Sequence, residues 1–528
     1  MTKLKILLAG PGTGKTTKIK EIIKARKDIG KVLILSFTNA TISDLLDDFG
    51  KAGIDITEKN CMTLHKYAMK MNHLTNVHIL NSKECLILEY YAKKFQITFD
   101  DLCKILGCMT FEHMITSCTK YIQTNAVGAK RNIGDIDLFI VDEYQDFNEP
   151  ERKFIDSISQ FSQETIILGD DDQCIYGFKS ADSDGIITLY NDPAVEKIDH
   201  ENICYRCPDS IVTASNKLIS KNQNRVAKVW QACSKEGELI LEQTLDEEAN
   251  NKYFVSQIKK IKETDPEGTI LLLSKVSFGV KELLAVLDAE HIEYVNWWDN
   301  KTEAQTMVDI WTLRTLFGKN KILNIMMLAY SSEKKNPRNW KAFLTHVENF
   351  LKHGIAVEQV LQDIEKTKIL ETQLTTQQID FEKFFVDNPN FEKFKTYLED
   401  KDKLDKNLEK LEVYLKPSIE FDKKKVNIMS IHKSKGLQAD YVFINNLIDG
   451  ILPKDTNAID SIEAERRLLF VGMSRTRKRL YLVSTVLWEG KHIHKANKDK
   501  FKYDYRSKKY TAQTSVFVQE LEISAVKI

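Results

Sequence analysis

The stretch Ile6-Leu7-Leu8-Ala9-Gly10-Pro11-Gly12-Thr13-Gly14-Lys15-Thr16-Thr17 decides the fold of the amino-terminal part of this sequence. The aliphatic run that ends at Leu8 predicts a buried β-strand, and a helical pattern follows from Thr16 to about Ala25. A glycine-rich loop between a strand and a helix is the context of a phosphate-binding loop, because its backbone N–H groups and the helix N-terminus can face one anion. An ordinary glycine-rich turn is the alternative interpretation.

The loop predicts a site for a nucleoside triphosphate. In a phosphate-binding loop the lysine reaches the β- and γ-phosphates and the next hydroxyl ligates Mg²⁺, which assigns these roles to Lys15 and Thr16. The residues expected to bind the nucleotide here are Ala9, Gly10, Pro11, Gly12, Thr13, Gly14, Lys15, Thr16 and Thr17. Ala9 stands where the strict pattern G-x-x-x-x-G-K-[ST] has its first glycine.

Composition sets broad limits on the protein. The 528 residues are enough for about three or four domains. Lysine plus arginine and aspartate plus glutamate both number 76, and this balance neither favours nor excludes nucleic acid, because a basic channel can be offset by acidic faces. The C-x-x-C at Cys204–Cys207 has no second pair at a zinc-like distance, so reduced thiols are expected. We find no membrane-span or signal-peptide pattern and expect a cytoplasmic protein that does not act at a membrane.

Strand and helix patterns alternate along most of the chain. The run 138–141 is followed at once by Asp142 and Glu143, and the run 165–169 is followed by Asp170. Polar residues at the carboxyl ends of buried strands, alternating with helices, predict an α/β fold with a parallel sheet. A second α/β block begins near residue 202. In the mainly helical stretch from about 66 to 130, one stripe is predicted to face the core, formed by Leu86, Ile87, Tyr90, Tyr91 and Phe95.

The acidic pair after the strand 138–141 completes the predicted phosphate site. Asp142 is placed to hold the Mg²⁺ that bridges the β- and γ-phosphate oxygens. Glu143 is then placed to polarise the attacking water as a general base. An Asp-Glu pair is often only surface charge, but this pair follows a buried strand in a chain that already has a phosphate loop.

Several motifs in order resemble those of the UvrD/Rep/PcrA family of superfamily 1 helicases. They are Asp142-Glu143-Tyr144-Gln145-Asp146, the run 169–179 (GDDDQCIYGFK), Phe37-Thr38-Asn39, Thr63-Leu64-His65, Tyr205-Arg206, the run 432–438 (HKSKGLQ) and the run 465–475 (ERRLLFVGMSR). With the phosphate loop they extend from residue 9 to about 480, so the resemblance covers most of the chain.

The resemblance implies two RecA-like P-loop motor domains with parallel sheets, each interrupted by a mainly helical insertion, and ATP bound between them. The predicted boundaries are 1–65 and 130–200 for the first motor domain, 66–129 for its insertion, 201–300 and 418–490 for the second motor domain, 301–417 for its insertion, and 491–528 for a basic carboxyl-terminal tail. The last segment is also consistent with a nucleic-acid arm, although a solvated tail is the simpler interpretation.

The resemblance also implies roles for residues around ATP. Gln173 would sense the γ-phosphate, and Arg206 and Arg475 would act as arginine fingers from the second motor domain. Tyr205 would stack on the base. Gln438 stands where the family usually has glutamate, so its contact with the nucleotide sugar can differ. No glutamine motif precedes the phosphate loop in this sequence, and the selectivity for adenine is therefore left open.

By the same resemblance, single-stranded DNA would cross both motor domains. The family stacks bases on aromatic side chains at the ends of sheet strands, which tolerates any base sequence. The residues expected to stack are Phe37, Tyr176 and Phe178, and those expected to contact the backbone are Thr38, Asn39, Thr63, His65, Lys179 and His432. Phe178-Lys179 stands where Trp-Arg is common in the family.

The sequence therefore predicts an ATP-dependent 3′→5′ DNA helicase or translocase that uses ATP and Mg²⁺ on single-stranded and tailed duplex DNA, in repair, replication or recombination. The alternative is a nucleotide-gated DNA-binding ATPase subunit of a larger repair, replication or defence complex, which unwinds little alone. The short helical insertion motivates this alternative. A small-molecule kinase would leave the motifs after residue 200 unexplained.

Overall fold

The computed structural model describes residues 3–26, 31–71, 77–177, 180–298, 321–332, 419–455, 459–489 and 500–522, and the separate positions 307, 310, 311, 314, 345, 347 and 348. The strands are β1 (Lys3–Leu8), β2 (Val32–Ser36), β3 (Cys61–Thr63), β4 (His78–Leu80), β5 (Cys108–Thr110), β6 (Ile136–Val141), β7 (Ser162–Gly169), β8 (Glu196–Lys197), β9 (Ile203–Cys204), β10 (Gln231–Ala232), β11 (Glu238–Thr244), β12 (Ile270–Ser274), β13 (Tyr294–Asn296), β14 (Val426–Ser430), β15 (Ala439–Ile444), β16 (Thr476–Thr485), β17 (Leu487–Trp488), β18 (Lys502–Asp504) and β19 (Lys509–Thr511).

The α-helices are α1 (Lys15–Lys24), α2 (Asn39–Lys51), α3 (Leu64–Met71), α4 (Ser82–Phe95), α5 (Phe99–Leu106), α6 (Phe111–Thr124), α7 (Ala126–Ile133), α8 (Glu149–Ser159), α9 (Asp184–Asn191), α10 (Asp209–Ile219), α11 (Glu247–Thr264), α12 (Phe278–Ala289), α13 (Lys321–Ser332), α14 (Ile459–Met473) and α15 (Val516–Glu520). Short 3₁₀ turns follow three strands, at Tyr144–Asp146, Asp171–Gln173 and His432–Ser434. Two compact units contain these elements: Met1–Met71 with Ile115–Trp298 and Glu420–Ile528, and Asn72–Met114 with Asp299–Ile419.

The first unit contains two large sheets, and the first sheet holds the phosphate loop. Its strand order is β3-β2-β6-β7-β1-β8, with every neighbouring pair parallel. The runs Val32–Leu35 of β2 and Leu138–Val141 of β6 are apolar and buried, as expected where both faces of a parallel sheet are covered. Phe49 of α2 and Ile19 of α1 pack in the core beside this sheet. Because all the strands are parallel, the loops after β1, β2, β6 and β7 emerge at one edge.

The second sheet of this unit has the order β11-β16-β15-β12-β14-β13 and is also wholly parallel. Its core includes aromatic side chains from three elements. The rings of Phe443 and Tyr481 are stacked with centroids 4.2 Å apart, and Phe254 of α11 meets Phe443 edge-to-face at 5.6 Å. The predicted α/β fold class is thus confirmed, with two parallel sheets consistent with two RecA-like domains.

We expect Phe443→Ala to destabilise the first unit by about 3–5 kcal/mol, because the substitution removes a fully buried ring and leaves a cavity between Tyr481 and Phe254. Urea unfolding followed by fluorescence measures this change. Leu245→Ala is the control, since that side chain is 62% exposed and its loss should change stability by no more than about 0.5 kcal/mol. Equal unfolding midpoints for both variants would contradict the stacked core.

The second unit contains most of the described residues of the two predicted insertions. Tyr91 of α4 donates its hydroxyl hydrogen to the carbonyl of Met326 in α13 at 3.1 Å, and both residues belong to one hydrophobic core. The stretches 66–71 and 115–129 belong to the first unit, so the bounds of the compact units differ from those of the predicted insertion 66–129. Apart from α13 and seven separate positions, the predicted insertion 301–417 lies outside the described residues.

The stripe predicted for α4 is only partly correct. Ile87, Tyr91 and Phe95 are buried, but Leu86 is 65% exposed and Tyr90 is also exposed. The buried residues follow a four-residue spacing, which keeps one face of a helix, whereas Leu86 and Tyr90 form an adjacent row. The prediction combines these two adjacent rows into one stripe facing the core.

The predicted carboxyl-terminal tail requires a correction over 500–522. Strands β17, β19 and β18 form a small antiparallel sheet, and Phe501 is buried beside Trp488. Phe517 of α15 is also fully buried. These apolar side chains anchor the segment despite its many lysines. Residues 490–499 and 523–528 lie outside the described part. Within the described residues, no helix combines the length and apolarity needed to cross a membrane.

Candidate nucleotide-binding site

The phosphate loop joins β1 directly to α1. Gly12 and Gly14 have φ angles of +70° and +88°, which glycine adopts at little cost. The Thr13 hydroxyl donates to the Gly10 carbonyl at 2.8 Å and so closes the turn. The Lys15 ammonium donates to the carbonyl of Ala9 at 3.0 Å, which holds the side chain over the loop. The segment therefore has the curled backbone and the positioned lysine of a phosphate-binding loop.

Residues that are distant in the sequence contact this loop. A Cβ at Gly12 would lie 2.8 Å from Cβ of Arg206, which is closer than side chains can approach. The backbone N–H of Tyr205 donates to the Gly12 carbonyl at 2.9 Å, and the Gly10 N–H donates to Oδ1 of Asn202 at 3.0 Å. The structure thus brings the predicted Tyr205-Arg206 pair to the phosphate loop, as the resemblance implied.

The acidic pair follows β6 at the same edge of the sheet. Burial, reinforced by the charge of Glu143, raises the pKa of Asp142 to about 7. Burial also raises the pKa of Glu143, but the ammonium groups of Lys435 and Lys15 and the amide of Gln145 outweigh it, and the pKa falls to about 2. Glu143 is therefore ionised at neutral pH. Its φ of +54° is a left-handed backbone conformation that few non-glycine residues adopt.

The residues predicted for Mg²⁺ fit a divalent cation in chemical type. Asp142 is a buried carboxylate whose ionised form is disfavoured by its surroundings, and a bound cation would reverse this. The Thr16 hydroxyl lines the same cavity as Asp142. Both are oxygen ligands, which Mg²⁺ prefers.

Lys435 is an important residue of the site to which sequence reasoning assigned no role. Its ammonium contacts Asp146 at 2.6 Å, Glu143 at 3.3 Å and the carbonyl of Gln173 at 3.0 Å. Burial lowers the pKa of this lysine, but the charges of Asp146 and Glu143 outweigh burial and raise it. The two ion pairs join the loop after β14 to the loop after β6, and the hydrogen bond to Gln173 joins it to the loop after β7, so Lys435 connects the two large sheets at the candidate site.

Gln173 and the two predicted arginines converge. The Arg475 guanidinium donates to Oε1 of Gln173 at 3.1 Å, while Gln173 donates from Nε2 to Asp170 at 2.8 Å. Arg206 donates from Nε to Oε1 of Gln438 at 3.0 Å and from Nη1 to the Ser474 carbonyl at 3.2 Å. Burial and the neighbouring Arg206 lower the pKa of Arg475 to about 9. Both arginines are therefore held by the protein beside the phosphate loop.

A cavity of about 920 Å³ unites these groups. This volume lies within the range of small-molecule sites. The predicted nucleotide, metal and catalytic residues that line it are Gly10, Pro11, Gly12, Thr13, Gly14, Lys15, Thr16, Asp142, Glu143, Gln173, Tyr205, Arg206, Gln438 and Arg475. Tyr205 lines the cavity and is 70% exposed. Ala9 and Thr17 are not among the lining residues; Ala9 is fully buried beneath the loop.

The predicted DNA-stacking residues meet at the edge of the first sheet. Phe37 follows β2, and its ring centroid lies 5.3 Å from that of Tyr176, which follows the turn Asp171–Gln173. Phe37 also meets the buried ring of Phe147 edge-to-face at 5.5 Å. The structure therefore brings two of the three predicted stacking residues together. The third, Phe178, and its neighbour Lys179 lie outside the described residues.

The residues predicted to contact the DNA backbone differ in their burial and in their contacts within the protein. The Thr38 hydroxyl caps α2 by accepting from the Thr41 N–H at 3.1 Å, and Asn39 beside it is exposed. Thr63 is buried. The His65 ring lies 3.2 Å from the carboxylate of Glu151. His432 is half-buried, and burial together with the charge of Lys275 lowers its pKa. Their DNA contacts stay predictions.

The phosphate loop of the first sheet shares a cavity with Arg475, which precedes β16 of the second sheet, and with Arg206, which follows β9. This arrangement defines a P-loop nucleotide-binding protein with two α/β halves. Two family descriptions match the chain: "AAA domain" over residues 1–179 and "UvrD-like helicase C-terminal domain" over residues 301–486. The resemblance to the UvrD/Rep/PcrA family that the motifs predict is confirmed.

The chain is also similar to curated helicases. It is 25% identical to DNA helicase II of Rickettsia typhi over 399 residues, which cover 65% of this chain and 59% of that protein. It is 26% identical to ATP-dependent DNA helicase Rep of Buchnera aphidicola from Acyrthosiphon pisum, covering 71% and 66%. With the Rep protein of the Schizaphis graminum strain the identity is 23%, and 90% of each is covered. The first two matches thus span less than two thirds of those relatives.

Proposed function

We propose that this protein is an ATP-dependent DNA helicase or translocase that moves 3′→5′ on single-stranded DNA. The observation that carries the proposal is the single cavity in which the phosphate loop meets Glu143 from one sheet and Arg206 and Arg475 from the other half of the unit. A composite site of this kind changes when the two halves move, which is how hydrolysis can be coupled to stepping.

In the proposed reaction, water attacks the γ-phosphorus of ATP in line with the departing ADP. Lys15 neutralises the β- and γ-phosphates, and Thr16 and Asp142 would hold Mg²⁺, which supplies further charge neutralisation when bound. Glu143, ionised in this environment, accepts the proton of the attacking water. Arg206 and Arg475 stabilise the negative charge that develops on the transferred phosphoryl group.

The proposed DNA contact uses Phe37 and Tyr176. Stacking of a base on an aromatic ring contributes about 1–3 kcal/mol and does not depend on base identity, which suits a motor that must pass every sequence. Tyr176 belongs to the segment that begins at Gln173, so a change at the γ-phosphate side of the cavity has a short path to the stacking ring. Relatives named DNA helicases II, Rep and PcrA support DNA rather than RNA as the substrate.

We expect the purified chain to displace a strand from a duplex with a 3′ single-stranded tail, and to leave a duplex with a 5′ tail intact. ATP and Mg²⁺ are present in both reactions, and single-stranded DNA is expected to stimulate ATP hydrolysis. The released strand is measured by gel or fluorescence. Displacement of the 5′-tailed duplex alone would contradict the polarity.

The same experiment tests the second candidate, a nucleotide-gated DNA-binding ATPase that acts within a larger complex. Hydrolysis that rises with DNA, without displacement of either duplex, would assign the chain to this class. A hydrolysis rate that does not respond to single-stranded DNA would contradict both candidates.

A further inference from the structure

An irregular segment between α10 and β10 contacts two loops of the candidate nucleotide site. We call residues 225–230 (RVAKVW) the strap. Sequence reasoning assigned no role to the strap. At one end the strap contacts Asp170, Asp171 and Asp172, which precede Gln173. At its other end it contacts the phosphate loop.

Lys228 of the strap is the counter-ion of three consecutive carboxylates. Its ammonium lies 3.0 Å from Asp170, 2.5 Å from Asp171 and 2.6 Å from Asp172, and its side chain is only 8% exposed. One carboxylate oxygen from each of the three aspartates lies within 4.8 Å of the other two, a spacing that could hold a metal ion. The Lys228 ammonium supplies the positive charge that a metal ion would otherwise supply. Without it, the three buried carboxylates would lack a counter-ion at this position, which is strongly unfavourable.

The neighbours of Lys228 fix the strap in one register. Arg225 donates from Nε and Nη2 to the two oxygens of Asp172 at 2.9 and 2.7 Å, the bidentate geometry in which arginine is most specific. The backbone N–H of Val226 donates to Asp171 at 2.8 Å. Each aspartate side chain is thus held by the strap, and none of the three is free to turn toward the cavity.

A chain of contacts leads from Lys228 to the candidate catalytic groups. The Asp170 carboxylate contacts Lys228 through Oδ1 and accepts from Nε2 of Gln173 through Oδ2, at 2.8 Å. The other end of the same amide, Oε1, accepts from Arg475 at 3.1 Å. Because Asp170 takes the N–H side of the amide, it also decides that the oxygen of Gln173 faces Arg475.

Trp230, at the other end of the strap, holds the phosphate loop. Its indole N–H donates to the Pro11 carbonyl at 2.9 Å, and the side chain is buried. A Cβ at Gly10 would lie 2.9 Å from Cδ1 of this ring, so the ring also packs closely on the loop backbone. One short segment therefore contacts both the phosphate loop and, through the three aspartates, the Gln173 side of the cavity.

We infer that the strap positions the two halves of the nucleotide site, with Lys228 acting through Asp170 on Gln173 and Trp230 acting on the phosphate loop. Lys228 and Trp230 are positioning residues, since neither lines the cavity. This inference rests on the proposed ATP hydrolysis and adds to it the residues that orient its glutamine.

The test is a double-mutant cycle on DNA-stimulated ATP hydrolysis with Lys228→Met, Gln173→Ala and the double variant. Loss of the orienting charge should lower kcat about 10- to 100-fold with little change in KM for ATP. In the Gln173→Ala background, Lys228→Met should lower kcat less than about threefold, because the group through which it acts is gone. Equal, multiplicative losses in both backgrounds, or wild-type kcat in Lys228→Met, would overturn the inference.

The matched control is Lys5→Met. Lys5 also bridges two carboxylates, Glu164 at 2.9 Å and Glu196 at 3.1 Å, but it does not line the cavity. Its loss should leave kcat within about twofold and show no coupling to Gln173. If Lys228→Met does not fold, Asp171→Asn/Lys228→Met restores part of the charge balance and leaves Asp170 in place. Its kcat is then compared with and without Gln173→Ala in the same cycle, and equal, multiplicative losses would again overturn the inference.

Trp230→Phe separates the inference from the proposed function. Phenylalanine keeps the ring on the phosphate loop but lacks the N–H that the Pro11 carbonyl accepts, so the dissociation constant of a fluorescent ATP analogue should rise about two- to tenfold. This binding measurement does not require hydrolysis. A wild-type chain that binds the analogue but does not hydrolyse ATP would overturn the proposed function alone, whereas unchanged binding by Trp230→Phe would overturn the role of the strap at the loop.

Discussion

Replacing Glu143 by glutamine is expected to lower DNA-stimulated ATP hydrolysis by about 10²- to 10⁴-fold while nucleotide binding persists. The Glu143 carboxylate is ionised, because Lys435 and Lys15 outweigh the effect of burial on its pKa. It can therefore accept a proton from water, which an amide cannot do. Glutamine has nearly the same shape, so the change removes the base and leaves the cavity intact. The steady-state rate of phosphate release and the binding of a fluorescent ATP analogue measure the two effects.

Lys15→Ala provides the comparison for this result. The Lys15 ammonium lies over the phosphate loop, so its loss should weaken nucleotide binding as well as hydrolysis. Glu143→Gln that fails to bind nucleotide would indicate a structural defect. A Glu143→Gln variant with wild-type hydrolysis would show that another group is the base.

Replacing Arg475 by alanine is expected to lower kcat about 10³- to 10⁵-fold, the effect of an arginine finger in related phosphoryl transfers. Arg475 is buried and already donates to Gln173, Val471 and Ser474. Its guanidinium is therefore oriented before the reaction, and the charge on the transferred group meets it without a large rearrangement. The rate constant for ATP hydrolysis in a single-turnover experiment measures this effect without a contribution from product release.

Two further variants distinguish an arginine finger from a structural arginine. Arg475→Lys keeps the positive charge but lacks the planar guanidinium, so its kcat should stay close to that of Arg475→Ala. Arg479→Ala is the control, because Arg479 pairs with Glu238 on the second sheet and does not line the cavity. Comparable losses of kcat in Arg475→Ala and Arg479→Ala would contradict a specific role for Arg475.

The predictable part of the fold is the part with local patterns. The apolar run before Ala9, the glycine loop and the helix from Lys15 are adjacent in the chain, and the structure has them as β1, a curled loop and α1. The same holds for Asp142 after β6. In each case the carboxyl-terminal part of the strand is apolar and buried, Ile6–Leu8 in β1 and Leu138–Val141 in β6, and the loop residues follow at once. Arg206 and Arg475 could be placed only through the resemblance, because nothing local distinguishes them from other arginines.

Contacts between distant residues carry no such local pattern. Lys435 meets Asp146 across 289 positions of sequence, and Trp230 meets Pro11 across 219. A lysine within a polar stretch and a tryptophan before a short strand have no periodicity that would indicate these partners. The folding of 500–522 was missed for a related reason: its lysines suggested a solvated tail, while the few apolar side chains that anchor it are spread along the segment.

The shared core of the first unit has a consequence for how the protein unfolds. Ile175, which follows β7 of the first sheet, packs in the same hydrophobic cluster as Leu468 of α14 and Leu482 of β16 in the second sheet. If the parts before and after residue 200 were produced as separate proteins, Ile175 would be exposed and the carboxylates of Asp170, Asp171 and Asp172 would lack Lys228. We therefore expect the two sheets to unfold together, and a chimera that replaces one half would need the complementary apolar and charged surface on the other.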